Sequence, residues 1–297
     1  MPAPLARWCV LALPYAWLLV FFLLPFFIIF KISVSEFDGI RYEDVLYVVD
    51  GAVQLKLKWA NYVFITSDAL YAKAYLNSLT YAGLTALVCL LIGYPFAYFM
   101  ARAKPERRPA LLMLVMLPFW TSFLLRIYAW KGLLASNGLV NNFLLGIGLI
   151  QEPIKMLHTP FSLMIGMVYA YLPFMILPLY ANLVKMDIRL LEAAADLGAK
   201  PWVTFWRVTV PLSKSGIIAG VMLVFIPAVG EYVIPELLGG AETLMIARVL
   251  WDEFFSNNDW AMASAVAISM VLLVLVPLAI FNKYQAQPSA GASGAKP

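Results

Sequence analysis

Three ionisable side chains fall within or at the ends of long apolar runs: Arg126, Glu231 and Glu236. A charge at membrane depth is expensive and is a functional hypothesis by default. Glu231 stands 16 residues beyond Ser215, which at 1.5 Å per residue is roughly 24 Å into a core of about 30 Å. Glu236 is five residues further, at the boundary, and Arg126 lies 17 residues beyond Pro109, at comparable depth. Two readings are open. In one, Arg126 pairs with Glu231 or Glu236 as a structural bridge, because buried charges rarely stand alone. In the other, Glu231 replaces water around the ammonium group of a passing solute. Tyr232, Tyr128, Trp120 and Tyr171 then add aromatic faces, over which a cation gains about 0.5–2 kcal/mol. Trp and Tyr near helix ends also serve as belt residues at the membrane interface.

Other reactive groups are scarce. Cys9 and Cys89 both lie in apolar runs, which argues against a disulfide or a metal site, and His158 is the single histidine. There is no Gly-x-x-x-x-Gly-Lys-Ser/Thr loop, no His-Glu-x-x-His motif and no paired-cysteine site. The chain is therefore expected to be no enzyme and to bind no cofactor or metal. A net charge of +4 is too small to suggest nucleic acid.

The elements that carry these residues follow from composition. Of 297 residues, 63% are hydrophobic and only 13% charged, about half the ~25% usual in a soluble domain. A soluble fold and a disordered chain are both excluded. Apolar runs at 9–30, 75–100, 109–130, 160–184, 215–237 and 260–282 each exceed the length needed to cross a bilayer. The first is too long for a signal-peptide core, and no small-residue cleavage site precedes the polar stretch at Lys31. The predicted fold is all-α: a polytopic membrane protein with six transmembrane helices. Prolines 25, 95, 118, 173, 178, 227 and 277 lie inside the runs; such kinks suit a bundle around a pathway, and ordinary kinked packing as well.

The compact loops 101–108 and 185–214, with Arg7, Lys283 and Lys296, hold twelve of the 21 basic residues and are expected to be cytoplasmic. Segments 31–74, 131–159 and 238–259 are then outside. Residues 1–8 form a cytoplasmic N-terminus, 9–284 the six-helix domain and 285–297 a disordered cytoplasmic tail rich in Ala, Gly, Ser and Pro. Within 31–74, Asp38-Gly39 and Asp50-Gly51 mark turns of a small ordered cap. Gly216 and Gly220 form a small-xxx-small pair suited to close helix packing. The apolar pattern at 243–258 suits a helix that lies flat against a partner or folds back on its own bundle.

One cytoplasmic stretch stands apart. From Asp187 to Lys200, Leu190, Leu191, Ala194 and Leu197 share one helical side, with Asp187 as N-cap, Gly198 as stop and Pro201 just beyond. A second short helical piece follows, carrying Trp202, Phe205 and Trp206. A lone helix of this length is marginal in water and needs a groove on a partner, on its own chain, or at the bilayer interface.

Glu192-Ala193-Ala194, then Gly198, then Val208-Thr209-Val210-Pro211 resembles the EAA loop of bacterial ABC importer permeases. Valines stand where that pattern has Ile and Leu; the spacing matches throughout. Tyr75–Tyr81 resembles the start of the permease core, Thr121–Trp130 and Val229–Gly240 are similar to the polyamine subgroup, and the likeness runs from residue 10 to 284. The resemblance implies a type I ABC importer permease-like bundle in the bacterial inner membrane, with both termini cytoplasmic. It implies that Glu192, Ala193, Ala194, Asp196, Leu197, Gly198 and Pro211 couple to a cytoplasmic ATPase. It further implies a second homologous permease subunit, two ATPase subunits that hold ATP and magnesium, and a periplasmic polyamine-binding protein, with membrane lipid around the chain. The cargo it implies is a polyamine, putrescine first and spermidine next. Glu231, Tyr232, Glu236, Trp120, Tyr128 and Tyr171 are the candidate substrate path. Another small solute, or ion-coupled secondary transport, are the alternatives; the latter needs ionisable groups nearer mid-membrane and gives the EAA loop no use.

Overall fold

A computed structural model describes residues 12–35, 46–49, 52–55 and 57–285. The turns expected at Asp38-Gly39 and Asp50-Gly51, Cys9, the N-terminus 1–8 and the tail beyond 285 lie outside the described residues. Four helices are long and apolar enough to cross a membrane: α1 (Ala12–Ser33), α3 (Ala69–Arg102), α7 (Pro160–Leu183) and α13 (Trp260–Gln285). Counting each of two bent pairs as one span brings the number to six.

Those two pairs differ from the straight spans expected at 109–130 and 215–237. The first is α4 (Arg108–Met116, extended by a tight turn to Trp120) followed by α5 (Phe123–Leu134) and α6 (Leu139–Gly146), bent by 84°. Pro118 lies in the tight turn, and Thr121 and Ser122 leave the helical conformation. The second is α9 (Pro201–Leu212) and α10 (Lys214–Val229), bent by 67° at Ser213, two residues beyond Pro211. Proline lacks the N–H that a continuing helix would use, so a break beside it is physically expected.

Among the described residues the only departure from helix and loop is one antiparallel hairpin, β1 (Leu46–Val49) with β2 (Ala52–Leu55), paired from Leu46↔Leu55 to Val49↔Ala52. It is too small to alter the all-α architecture. The chain sorts into two compact units, residues 1–72 with 249–273 and residues 73–248 with 274–297.

In the first unit the end of α1 meets the start of α2 (Ala60–Ser67) through Ser33 Oγ and Tyr62 OH at 2.8 Å and through Lys58 N–H donating to Val34 O at 2.9 Å. Tyr71 OH donates to Glu253 Oε1 at 2.6 Å, while Asn257 donates to Oε2 at 2.9 Å. Met245 and Ile246, in the second unit, are fully buried, which favours the fold-back reading for the start of the 243–258 pattern.

In the second unit α7 and α10 form the most intimate pair, and the two glycines explain why. A Cβ on Gly220 would sit 2.7 Å from Met175 Sδ, and one on Gly216 would sit 2.7 Å from Asn182 Cβ. Close approach of these helices requires both positions to be bare. At the other end, Thr159 and Ser162 form a reciprocal cap on α7, and Ser162 Oγ donates to Leu238 O at 2.7 Å. That bond joins the start of α7 to the end of α11 (Val233–Leu238).

Candidate functional site

α10 stops at Val229, two residues beyond Pro227, and α11 begins at Val233. Glu231 sits in the break. Its Oε1 accepts the N–H groups of Val233 at 3.0 Å and Ile234 at 3.3 Å, capping the otherwise orphaned donors of α11. Its Oε2 accepts the Tyr171 hydroxyl at 2.5 Å. Tyr171 comes from α7, is 8% exposed and stands 60 residues away in sequence. Beside it opens a cavity of about 460 Å³, lined by Tyr171, Phe174, Met222, Ile226, Pro227 and Leu278, among others. Tyr171 thus links an apolar cavity at its ring to a carboxylate at its hydroxyl.

The other expected path residues are distributed differently. Glu236 on α11 pairs with Arg248, Nε to Oε2 at 2.9 Å. Trp120, 78% exposed, ends the tight turn after α4, and Tyr128 is exposed on α5. Tyr232 is half-buried next to Glu231 in the break. The structure therefore brings Tyr171 and Glu231 together.

The expected bridge from Arg126 to Glu231 or Glu236 does not form. Both carboxylates are engaged elsewhere, and the bend at Thr121–Ser122 undoes the depth obtained by counting along a straight helix. Arg126 instead lies over two rings, with Cζ 5.6 Å from the Phe119 centroid and 5.8 Å from the Phe123 centroid. Its Nε is buried without a hydrogen-bond partner.

The 185–214 loop takes the expected form over a shorter length. α8 (Arg189–Asp196) is preceded by Asp187, whose Oδ1 accepts the Arg189 N–H at 3.0 Å. Gly198, at φ +77°, turns the chain: its N–H donates to Ala195 O at 2.8 Å, and Ala199 N–H to Ala194 O at 3.0 Å. This pairing is the Schellman ending, and glycine adopts its left-handed residue without the Cβ penalty. Glu192, Ala193, Asp196 and Leu197 are exposed and Ala194 half-buried. Leu197 is 89% and Trp202 70% exposed, so much of the apolar side of this loop is uncovered among the described residues.

A link from this loop into the bundle had no signal in the sequence. Ser213, at the α9–α10 bend and next but one to Pro211, is fully buried and shares a hydrogen bond of 2.8 Å with Tyr94 OH on α3. Phe205 stands edge-on to Tyr94 and Tyr98, with centroids 5.5 and 6.3 Å apart. Ser213 and Phe205 thus tie the end of this loop to α3, while α9 leads directly into α10. A second link was legible in retrospect from a polar pair inside an apolar run. Asn77 donates to Glu242 O and Leu244 O at 3.2 and 3.0 Å, and Ser78 Oγ accepts the Ile246 N–H at 2.8 Å.

The profile of the family described as "Binding-protein-dependent transport system inner membrane component" matches residues 93–287, two thirds of the chain. The chain belongs to this family. It is a non-catalytic permease subunit, membrane-embedded through several apolar helices. Among curated proteins, the spermidine/putrescine transport system permease protein PotB of Haemophilus influenzae is 42% identical over 275 residues, covering 93% of this chain and 92% of that protein. PotB of Escherichia coli K12 is 39% identical over 265 residues, covering 89% and 92%. A chain from a bacterial ABC transporter involved in import of the acidic polysaccharide alginate superposes with TM-score 0.70 at 19% identity, covering 96% of each chain. The same kind of transporter in complex with an alginate pentasaccharide-bound periplasmic protein gives 0.69 at 19% identity, covering 95% of this chain and 94% of that one. The fold is thus shared with these transporter chains over nearly the whole length of this one.

Proposed function

We propose that this permease subunit carries a polyamine, putrescine first and spermidine next as the candidate cargo, into the cytoplasm as part of an ATP-driven importer. The observation that carries the reading is Glu231 in a helix break, hydrogen-bonded to Tyr171, which itself lines an apolar cavity. A polyamine is a methylene chain with ammonium ends: the cavity suits the chain, and the carboxylate suits an end. The cavity volume falls within the roughly 300–1,000 Å³ range of small-molecule sites. An arriving ammonium takes the place of the Tyr171 hydroxyl on Oε2, so that affinity stays low enough for release. The likeness to PotB supports the same cargo.

The remaining parts of the proposal follow from the exposed loop. Its uncovered apolar side suits a cleft on a cytoplasmic ATPase, with Glu192 meeting a basic or amide group there and Gly198 acting as the swivel. Two ATPase copies hold the ATP and magnesium, and this chain holds neither. A second homologous permease closes the open side of the cavity, and a periplasmic polyamine-binding protein delivers the cargo. Both termini are cytoplasmic. The test is co-purification with the neighbouring ATPase and binding protein, followed by uptake of labelled putrescine, spermidine, phosphate and sulfate. Putrescine uptake that needs the ATPase supports the reading; strong uptake of an anion overturns the cargo.

A further inference from the structure

The segment between α5 and α7 is built inside out. Asn141 on α6 is fully buried: its amide donates to Ala135 O at 3.2 Å and to Ile154 O at 2.9 Å, and its carbonyl accepts the Ile154 N–H at 2.9 Å. The apolar residues point the other way. Leu139, Phe143 and Ile147, each about one turn from the last, are 70%, 67% and 54% exposed, and Leu149 is 71% exposed. A helix lying against a protein in water shows the opposite order, apolar stripe inward and polar face out. Here the polar side chain is satisfied within the chain, and the greasy side is offered to the surroundings.

The sequence fits the same picture. No Lys, Arg, Asp or Glu occurs between Lys131 and Glu152. Asn142 is exposed, yet it turns its amide back to donate to Asn137 O at 3.2 Å. The stripe itself holds three aliphatic residues and one Phe, with no side-chain donor or acceptor, and Phe143 is its single residue of a type enriched in protein interface cores. It also continues along the chain from α5, where Leu124 and Leu125 are exposed in the limb that completes a membrane-crossing pair.

We infer that α6 and the turn to Leu149 dip into the acyl region of the outer leaflet as a re-entrant segment, with lipid chains covering the Leu139–Phe143–Ile147 stripe. Lys131 at one end and Glu152 at the other remain at headgroup level. The stretch 131–159 is then not a solvated outer connection. It is a wedge in the bilayer, tied through Asn141 to the chain that leads into α7.

The test uses the full chain with its co-expressed subunits in lipid nanodiscs, with Cys9 and Cys89 replaced by alanine. Phe143→Cys and, separately, Leu149→Cys carry a bimane probe, and Glu152→Cys serves as the headgroup-level reference. Doxyl groups on the lipid chains should remove most of the fluorescence at 143 and 149, while aqueous iodide removes none there and quenches 152. Iodide quenching at 143 and 149 as strong as at 152 overturns the inference. So does silence to both quenchers, which would mean that a protein covers the stripe. Either labelled position alone suffices if the other variant does not insert.

Discussion

Tyr171 donates its hydroxyl to Glu231 Oε2 at 2.5 Å, joining α7 to the break between α10 and α11 across 60 residues of sequence. The same carboxylate uses Oε1 to cap α11. One side chain therefore holds a helix start with one oxygen and ties it to α7 with the other. Half-helix termini at membrane depth are where transporters commonly place their charged contacts.

Tyr171→Phe removes the exchangeable donor and keeps the ring against the cavity. Bound ammonium then no longer competes with a hydroxyl. Half-saturating putrescine in a reconstituted uptake assay is expected to fall, with the maximal rate reduced as release slows. An unchanged concentration dependence would mean that Tyr171 does not share Glu231 with the cargo.

Gly220 is bare because Met175 Sδ leaves no room. Gly220→Leu is expected to destabilise the α7–α10 pair by about 1–3 kcal/mol, the usual cost of overpacking. Thermal unfolding of the purified complex would record it as a lower midpoint. Gly220→Ala should cost less, because the flexible methionine can yield.

The Glu236–Arg248 pair is about one-third exposed on both sides. A double-mutant cycle with Glu236→Gln and Arg248→Gln should give a coupling of about 0.2–1 kcal/mol, as for other solvated pairs. A much larger coupling in unfolding measurements would show that this pair is shielded in the assembled importer.

Gly198 at φ +77° ends α8. Gly198→Val places a branched side chain in the left-handed region, at a cost of roughly 1–2 kcal/mol. The expected result is uptake lost with cavity and membrane insertion intact, read by comparing transport with the amount of chain in the membrane. Cysteines at Ala193 and Ala195 should also crosslink to the co-expressed ATPase.

The long uninterrupted spans were legible because apolar runs longer than a bilayer leave few alternatives: α1, α3, α7 and α13 fall where those runs do. The bends were not. Pro118 and Pro211 mark them, but six other internal prolines sit in helices that stay continuous or end nearby, so proline alone does not choose. Arg126 shows the consequence: depth counted along a straight helix pointed to a carboxylate, and the bend left the guanidinium on Phe119 and Phe123. Glu231 was visible as a charge out of place, whereas its partner Tyr171 was one aromatic residue among several. The α8 loop was readable almost to the residue, because a short helix with a glycine stop is specified locally. The tie from Ser213 to Tyr94 is long-range and left no mark.

The most direct test of the account is putrescine uptake by importers carrying Glu231→Gln or Glu231→Asp, reconstituted with all their subunits. A charge-assisted hydrogen bond is worth about 1.5–3 kcal/mol, so Glu231→Gln should lower uptake at limiting putrescine by about tenfold or more, with Glu231→Asp recovering part of it. Wild-type uptake in Glu231→Gln, with the complex fully assembled, would contradict the account and remove this carboxylate from the cargo's route.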